Sequence, residues 1–184
     1  MSDGAALESV ALTSAELRRL AGRFATGVTI VTTAGAGTVH GITVNAFATV
    51  SLEPLLVVVA VDRGTRMHGL LEETGVYAVS VLAAGQERIS RWFATPGRAA
   101  GAGQFEDVPC DAAPVTGSPV VRGCAAWFDC RVAAAHRAGD HTLFVAEVAG
   151  MGGGAEADAL VFHGGGYHSV PNSRSPKSPS PGTM

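Results

Sequence analysis

The chain has 184 residues, of which 47% are hydrophobic and 16% are charged, a composition typical of a globular domain with a real core. Its formal net charge of -3 gives no electrostatic basis for binding nucleic acid or an anionic membrane surface. No apolar run approaches the roughly 20 residues of a membrane span. The first residues show no basic region followed by an apolar one. We therefore expect a cytoplasmic protein with no nucleic-acid or membrane partner.

The side chains available for chemistry are restricted. The three cysteines (Cys110, Cys124 and Cys130) contain no Cys-x-x-Cys pair and are too few for a disulfide framework, so we expect reduced thiols. The only lysine is Lys177, close to the end of the chain. A Schiff-base lysine and a Walker A loop are thereby excluded from the folded part. Cationic contacts in that part must come from arginine, histidine or backbone N–H groups.

The first half of the chain predicts one helix followed by strands. Residues 1–12 read as a loose arm, and Thr13 with Glu16 fits a capping box at the start of a helix that ends at Gly27. Short apolar or alternating runs then predict strands over residues 28–33, 38–50 and 55–61.

The second half alternates short helices and strands before its composition changes. Helices are predicted over 65–73 and 86–93, and strands over 76–82, 124–134, 141–150 and 160–163, with a Gly/Pro/Ala-rich excursion or lid over 94–118. The last fourteen residues, 171–184, hold four prolines and four serines and predict a disordered tail. We therefore assign one domain to residues 13–170. Many short strands with few helices favour an antiparallel barrel.

Two apparent motifs carry no function. The glycines from Gly150 to Gly154 match a Gly-x-Gly-x-x-Ala pattern, but no helix follows them as a dinucleotide fold requires, so a hairpin loop is the better interpretation. His136, His141, His163 and His168 match no zinc spacing, and we expect no metal site.

Residues 40–54 carry an unusual number of small polar groups for a strand. In an extended chain Thr43, Asn45, Thr49 and Ser51 share one face, because successive side chains alternate. Such a row can hold a planar, hydrogen-bonding ligand. An edge strand with exposed hydroxyls explains the same pattern, and this segment alone leaves both interpretations open.

Five segments in order resemble the flavin reductase family, the small partners of two-component monooxygenases. They cover most of the chain, from Phe24 to Tyr167, and are residues 24–33, 40–54, 82–94, the Gly-Asp-His of 139–141, and the closing Gly-x-Tyr of 165–167. The resemblance implies an antiparallel Greek-key split β-barrel with a few peripheral helices. It also implies a homodimer with flavin near the subunit interface. Reduced flavin would then leave for a flavin-dependent oxygenase or halogenase.

The implied activity is an NAD(P)H:flavin oxidoreductase, in which hydride passes from nicotinamide C4 to flavin N5. The cofactors carry this chemistry, so the protein must hold two rings at about 3–3.5 Å rather than supply an acid or base. FAD and FMN both remain open: Ala46 stands where the family commonly has serine, and Ser80 where it has asparagine. NADH is favoured over NADPH because no arginine cluster awaits a 2′-phosphate.

Candidate flavin contacts follow from the resemblance. Thr43, Val44, Asn45 and Ala46 are expected along the ring edge, with Thr29 and Thr32 on the adjacent strand and Ser51 toward the ribityl chain and phosphate. Candidate phosphate donors are Arg63, Thr65 and Arg66, supported by a helix N-terminus at residue 65, together with Gln86 and Arg91.

His141 is the candidate for nicotinamide dinucleotide recognition. A lone histidine is more often structural, but the Gly-Asp-His match favours the functional interpretation. Tyr167 is the second candidate, by stacking near the dinucleotide.

Two other functions are compatible with the resemblance. One is a non-catalytic flavin-binding or storage protein on the same barrel. The other is an oxidase of the pyridoxamine-phosphate type on a related barrel, which would need a second cationic phosphate pocket; the absence of lysine before residue 177 counts against it.

Overall fold

A computed structural model describes residues 9–35, 37–154 and 156–172. Three α-helices lie in this part of the chain: α1 (Ser14–Ala21), α2 (Arg66–Thr74) and α3 (Glu87–Ala94). The strands are β1 (Thr26–Gly27), β2 (Thr29–Gly35), β3 (Thr38–Val44), β4 (Phe47–Leu52), β5 (Leu55–Asp62), β6 (Val76–Val81), β7 (Cys110–Ala112), β8 (Pro119–Val121), β9 (Ala126–Ala138), β10 (His141–Gly153), β11 (Ala159–His163) and β12 (Gly166–Val170).

Seven strands form the main sheet in the order β3-β2-β6-β9-β10-β5-β4, and every pairing in it is antiparallel. A smaller sheet, β1-β11-β12, lies beside it. The prediction of a mainly β, antiparallel fold with few helices is therefore confirmed. Closure into a barrel stays a prediction, since no pairing in the described residues joins β3 to β4.

One continuous strand over residues 38–50 was predicted, and this prediction is wrong. The strand breaks at Asn45 and Ala46, between β3 and β4. Strand β3 pairs with β2 while β4 pairs with β5, so the chain must leave one edge of the sheet and join the other. Extended geometry cannot continue through that change of partner. The four polar side chains consequently do not share one strand face.

Three buried apolar clusters lie in the described residues, and two of them include residues of β2. The larger of these two includes Val59, Tyr77 and Phe144, and the smaller one includes Ile30 and Phe93. Burial of this apolar surface at about 25 cal/mol per Å² is the main stabilising contribution. Both clusters draw on strands β2 and β6 or their flanks, so the strand that carries Thr29 is fixed from two sides.

Gly150, Gly152 and Gly153 form strand rather than the predicted loop. Residues up to Gly153 belong to β10, which pairs with β9 as far as Ala126. A Cβ on Gly152 would lie 2.7 Å from the Trp127 ring, and one on Gly154 would lie 1.7 Å from the Cys124 carbonyl oxygen. Close approach of ring and backbone, not flexibility, therefore explains the glycines.

The Gly/Pro/Ala-rich excursion folds back onto β3. It contains a 3-10 turn, Gly101–Phe105, whose Gln104 is buried and accepts a hydrogen bond from Gly41 N at 3.0 Å. Strands β1, β7, β8 and β12 were not predicted, and α1 ends at Ala21 rather than at the predicted Gly27, which belongs to β1. Residues 1–8 of the predicted arm and 173–184 of the predicted tail lie outside the described residues. No described helix is long and apolar enough to cross a membrane.

Candidate functional site

An open cleft of about 980 Å³ begins at the break between β3 and β4. Its walls come from the end of α1, from β1 and β2, and from the facing parts of β4, β5, β10 and β11. Most lining side chains are small, and the large ones other than Arg18 are aromatic or aliphatic: Phe24, Phe47, Phe162 and Leu143. Such walls suit a flat ring system rather than a highly charged ligand.

The break leaves unpaired polar groups facing the cleft. Asn45 and Ala46 both line it and are exposed. Within the described part of the chain, the Asn45 side chain and both backbone N–H groups make no hydrogen bond. The Ala46 carbonyl is already used, because it accepts from Ala60 N at 3.1 Å. Two backbone donors and one amide are thus free for a ligand.

Thr29 and Val44 form the fixed side of this break. Thr29 is buried and its hydroxyl donates to the Val44 carbonyl oxygen at 2.5 Å. Thr29 lines the cleft, but its hydroxyl is already hydrogen-bonded to the Val44 carbonyl oxygen, so its predicted contact with flavin stays a prediction. Val44 is buried, and only its backbone takes part.

A smaller cavity of about 150 Å³ adjoins the cleft and shares Asn45 and Phe162 with it. Thr43 and Tyr167 complete its walls with Val28. The Thr43 hydroxyl donates to the Ser90 carbonyl oxygen at 2.6 Å. The structure therefore brings Tyr167 next to Thr43 and Asn45, from which it is distant in sequence.

Arg91 supports Tyr167 from outside. Its guanidinium carbon lies 4.8 Å from the centre of the Tyr167 ring, and its Nε donates to Glu87 Oε1 at 2.7 Å. Arg91 itself lines neither cavity. Its position favours orientation of the tyrosine through a cation–π contact.

His141 opens β10 at the end of the cleft. It precedes Leu143, which lines the cleft, by two residues, so both point to the same face of the sheet. His141 Nδ1 lies 2.8 Å from Asp140 Oδ1. This hydrogen bond, with the charge of His141 and a smaller contribution from Arg18, lowers the pKa of Asp140. Asp140 therefore orients the imidazole and remains a carboxylate at neutral pH.

Three other residues predicted to bind flavin make hydrogen bonds outside the cleft. Thr32 is fully buried and its hydroxyl donates to the Pro119 carbonyl oxygen. Gln86 accepts from Ala83 N at 3.0 Å and donates to the Arg122 carbonyl oxygen at 2.8 Å. Ser51 accepts from Glu53 N at 3.2 Å. None of these three predicted residues lines the cleft.

The predicted phosphate group lies past the end of β5. Thr65 caps α2, accepting from His68 N and donating to the Asp62 carbonyl oxygen. Arg66 reaches Thr38 Oγ1 at 3.4 Å, and Arg63 N donates to the Asp140 carbonyl oxygen at 3.0 Å. All three side chains are exposed, and none lines the cleft.

The sequence prediction missed α1 as part of the site. Arg18, Ala21 and Gly22 line the cleft, followed by Phe24. Positions 18, 21 and 22 share one face of a helix, but this spacing alone does not indicate what that face covers.

The cleft residues fit a flavin. Free N–H groups at Asn45 and Ala46 match the carbonyl and nitrogen acceptors along one edge of the ring system. Small residues leave room for the ring plane, and Phe47 and Phe162 supply flat apolar contact.

Comparison with known proteins agrees with this fit. Residues 21–171 match the family described as the flavin reductase like domain. The NADH-dependent FAD reductase of Streptomyces globisporus is 38% identical over 152 residues, which cover 83% of each chain. Further relatives are named as NADH-dependent flavin or FMN reductases.

Two solved structures superpose closely. BorF, the flavin reductase component of a bacterial two-component tryptophan halogenase, gives a TM-score of 0.82 at 41% identity, over 86% of this chain and 99% of its own. The Streptomyces globisporus C-1027 NADH:FAD oxidoreductase SgcE6, in complex with NAD and FAD fragments, gives 0.83 at 34% identity, over 92% and 100%. The chain belongs to the flavin reductase family, which confirms the resemblance seen in the sequence.

Proposed function

We propose that this protein is an NADH-dependent flavin reductase that reduces freely exchanging FAD or FMN. The observation that carries the proposal is the strand break at Asn45 and Ala46, whose unpaired amides face an apolar cleft. Hydride passes from nicotinamide C4 to flavin N5 when both are bound. The names of the relatives, NADH-dependent FAD, flavin and FMN reductases, support the same activity. They give no support to the non-catalytic storage alternative.

The chain contributes positioning rather than proton transfer. Arg18 is the only charged residue among those lining the cleft, and an arginine stays protonated. The Asn45 and Ala46 amides hold the ring edge, where they also favour the negative charge that develops on reduction. Phe24, Phe47 and Phe162 exclude water around the ring plane.

His141 and Tyr167 remain our candidates for binding the nicotinamide dinucleotide, which is the hydride donor. His141 lies at the β10 end of the cleft with its ring oriented by Asp140. Tyr167 lies at the smaller cavity, with its ring face against Arg91. Two separate contacts along one dinucleotide would fix the nicotinamide against the flavin.

The reduced flavin goes to a flavin-dependent oxygenase, and we propose a monooxygenase or a halogenase as the acceptor. Support comes from relatives and structural neighbours that are reductase components of two-component systems. The lining is almost uncharged and the cleft is open, which suits a flavin that must leave after reduction.

We propose a homodimer as the working state. Helix α1 has no buried residue, and Leu17 and Phe24 are 70% and 77% exposed. On the β4–β5 hairpin, Leu52 is 83% exposed. We take these exposed apolar side chains as part of the surface that the second copy covers. Sedimentation analysis is the test, and a monomer at micromolar concentration would refute the dimer.

We also propose a cytoplasmic location. The three cysteines are free thiols, and Cys124 and Cys130 are buried. Reduced cysteines are typical of a reducing compartment. Fractionation of cells that express the protein tests this.

The activity is tested with purified protein, NADH and free flavin, by following the loss of NADH absorbance. Four combinations, FAD or FMN with NADH or NADPH, determine the preferences; we expect NADH to be the better donor. Asn45→Ala should raise the KM for flavin about three- to tenfold, because the variant lacks the unpaired side-chain amide of Asn45. Thr49→Ala, an exposed change on β4 outside the cleft, is the matched control. Absence of flavin-dependent NADH loss would refute the proposed function.

A further inference from the structure

Helix α1 contributes one face to the cleft, and that face carries a single charge. Arg18, Ala21 and Gly22 line the cleft and lie at positions i, i+3 and i+4 of the helix. The neighbouring Arg19 lies on another face, where its guanidinium pairs with Glu16 at 2.7 Å. The two adjacent arginines therefore differ in surroundings.

The end of α1 is held in place at the cleft. Thr13 caps its first turn by accepting from Glu16 N at 3.2 Å. At the other end, the Gly22 carbonyl oxygen accepts from Gly164 N at 2.8 Å, in the turn between β11 and β12. The position of Arg18 is thus fixed although the helix buries none of its side chains.

The guanidinium of Arg18 has no committed partner. Within the described residues it makes no ion pair and no side-chain hydrogen bond. Arg18 and Leu143 line the same cleft, and His141 lies two residues before Leu143 on the same face of β10. Arg18 therefore lines the cleft toward which His141 faces and retains its donors for a ligand.

An unpaired guanidinium beside an otherwise uncharged cleft is suited to an anionic oxygen pair. Arginine binds phosphate through two parallel N–H donors, which is stronger than a neutral hydrogen bond. Both a flavin nucleotide and a nicotinamide dinucleotide carry phosphates. Leu143 lines the cleft together with Arg18 and shares a strand face with His141, which favours the nicotinamide dinucleotide, since the ring-edge donors Asn45 and Ala46 belong to the break between β3 and β4.

We propose that Arg18 binds the pyrophosphate of the reduced nicotinamide dinucleotide and so places the hydride donor across the cleft. This assignment rests on the proposed function, because it takes the dinucleotide as the second substrate. It adds α1 to a site that the sequence had placed on strands and on the start of α2.

The test compares Arg18→Ala and Arg18→Lys with Arg19→Ala, a matched arginine on the same helix outside the cleft. In Arg18→Ala we expect the KM for NADH to rise about tenfold or more, as for the loss of a charge-assisted contact. The KM for flavin should stay within about twofold, and Arg18→Lys should restore part of the NADH affinity. Arg19→Ala should leave both constants unchanged.

A binding measurement separates this inference from the activity itself. ADP-ribose carries the pyrophosphate without nicotinamide, and adenosine carries neither; both can be titrated calorimetrically into each variant. Arg18→Ala should weaken ADP-ribose binding by a similar factor and leave adenosine binding unchanged. Equal ADP-ribose affinity in wild type and Arg18→Ala, or a raised flavin KM with an unchanged NADH KM, overturns the proposal. A wild type that consumes no NADH refutes the proposed function instead, and the ADP-ribose titration still decides the role of Arg18.

Discussion

The hydroxyl of Tyr167 lies 2.8 Å from the hydroxyl of Ser90, which is fully buried. This contact connects β12 to α3. The Ser90 carbonyl oxygen also accepts a hydrogen bond from the Thr43 hydroxyl, which connects β3 to the same residue. Three elements distant in sequence thus meet at one serine beside the small cavity. The Tyr167 ring packs edge-on against Phe162.

Tyr167→Phe should lower the free energy of unfolding by about 1–2 kcal/mol, because the buried Ser90 hydroxyl loses its partner. The ring remains, so the KM for NADH should change by less than about twofold. Tyr167→Ala should raise that KM as well. Denaturant unfolding and steady-state kinetics measure the two effects. If Tyr167→Ala leaves the KM for NADH unchanged, the tyrosine serves packing alone.

His141→Ala should raise the KM for NADH about fivefold, through loss of a recognition contact, and leave flavin affinity unchanged. The matched control is His136→Ala, an exposed histidine on β9 opposite Leu143. Kinetics at saturating flavin give the comparison. Unchanged KM and kcat in His141→Ala would remove this residue from the site.

His40 should make the stability of the protein depend on pH. Burial, with smaller contributions from Arg98 and Arg66, lowers the pKa of His40 to about 4. Its Nδ1 accepts from Gln104 Nε2 at 2.7 Å in the neutral form. Between the unfolded pKa, near 6.5, and about 4, the unfolded chain binds the extra proton, so stability falls as pH falls through this window. The loss should reach about 1–3 kcal/mol.

Urea unfolding at several pH values measures this loss in wild type and in His40→Gln, which cannot titrate. The variant should lose less stability between neutral pH and pH near 4. His136→Gln provides the control for an exposed histidine. Parallel pH profiles in wild type and His40→Gln would contradict the role of His40.

Gly154→Ala should destabilise the fold, because its Cβ would lie 1.7 Å from a backbone oxygen and the chain must shift. Overpacking of this kind costs about 1–3 kcal/mol. Gly153→Ala is the neighbouring control, since nothing lies within 4 Å of its Cβ. Thermal unfolding compares the two. Equal midpoints of thermal unfolding in the two variants would contradict the prediction, because the backbone at Gly154 would then shift without loss of stability.

Local patterns were enough to place most elements. The Thr13 cap of α1 and the aliphatic run of β5 appear where the sequence predicts them, because each depends on nearest neighbours along the chain. The Glu16 half of the predicted capping box does not form, because the Glu16 carboxylate binds Arg19 and Thr13 N donates to the Ala11 carbonyl oxygen. The break at Asn45 was missed because it depends on which strands pair. Strand pairing cannot be inferred from the local alternation of side chains along the sequence. The loop prediction for the glycines before residue 155 was wrong for the same reason. A Cβ on Gly152 or Gly154 would clash with Trp127 or Cys124, which are distant in sequence.

The structure brings part of the predicted set of site residues to one cleft. Thr29, Asn45 and Ala46 line it, because the β2–β3 register places Thr29 opposite Val44, directly before the break. Thr32 satisfied the same strand pattern but has its hydroxyl committed to Pro119, a contact that only the tertiary structure reveals. Arg18 was overlooked because a helix outside the sheet gives no sign of what it covers.

At the gap between β3 and β4, two of the three free donors that face the cleft belong to the main chain, and Ala46 contributes only its backbone N–H. No ordinary substitution deletes a backbone N–H, except one to proline. Ring recognition at residue 46 should therefore tolerate a change of side chain, whereas at residue 45 it depends on the amide. Attempts to redirect the protein toward other flavins have more to gain from its aromatic walls than from these two residues.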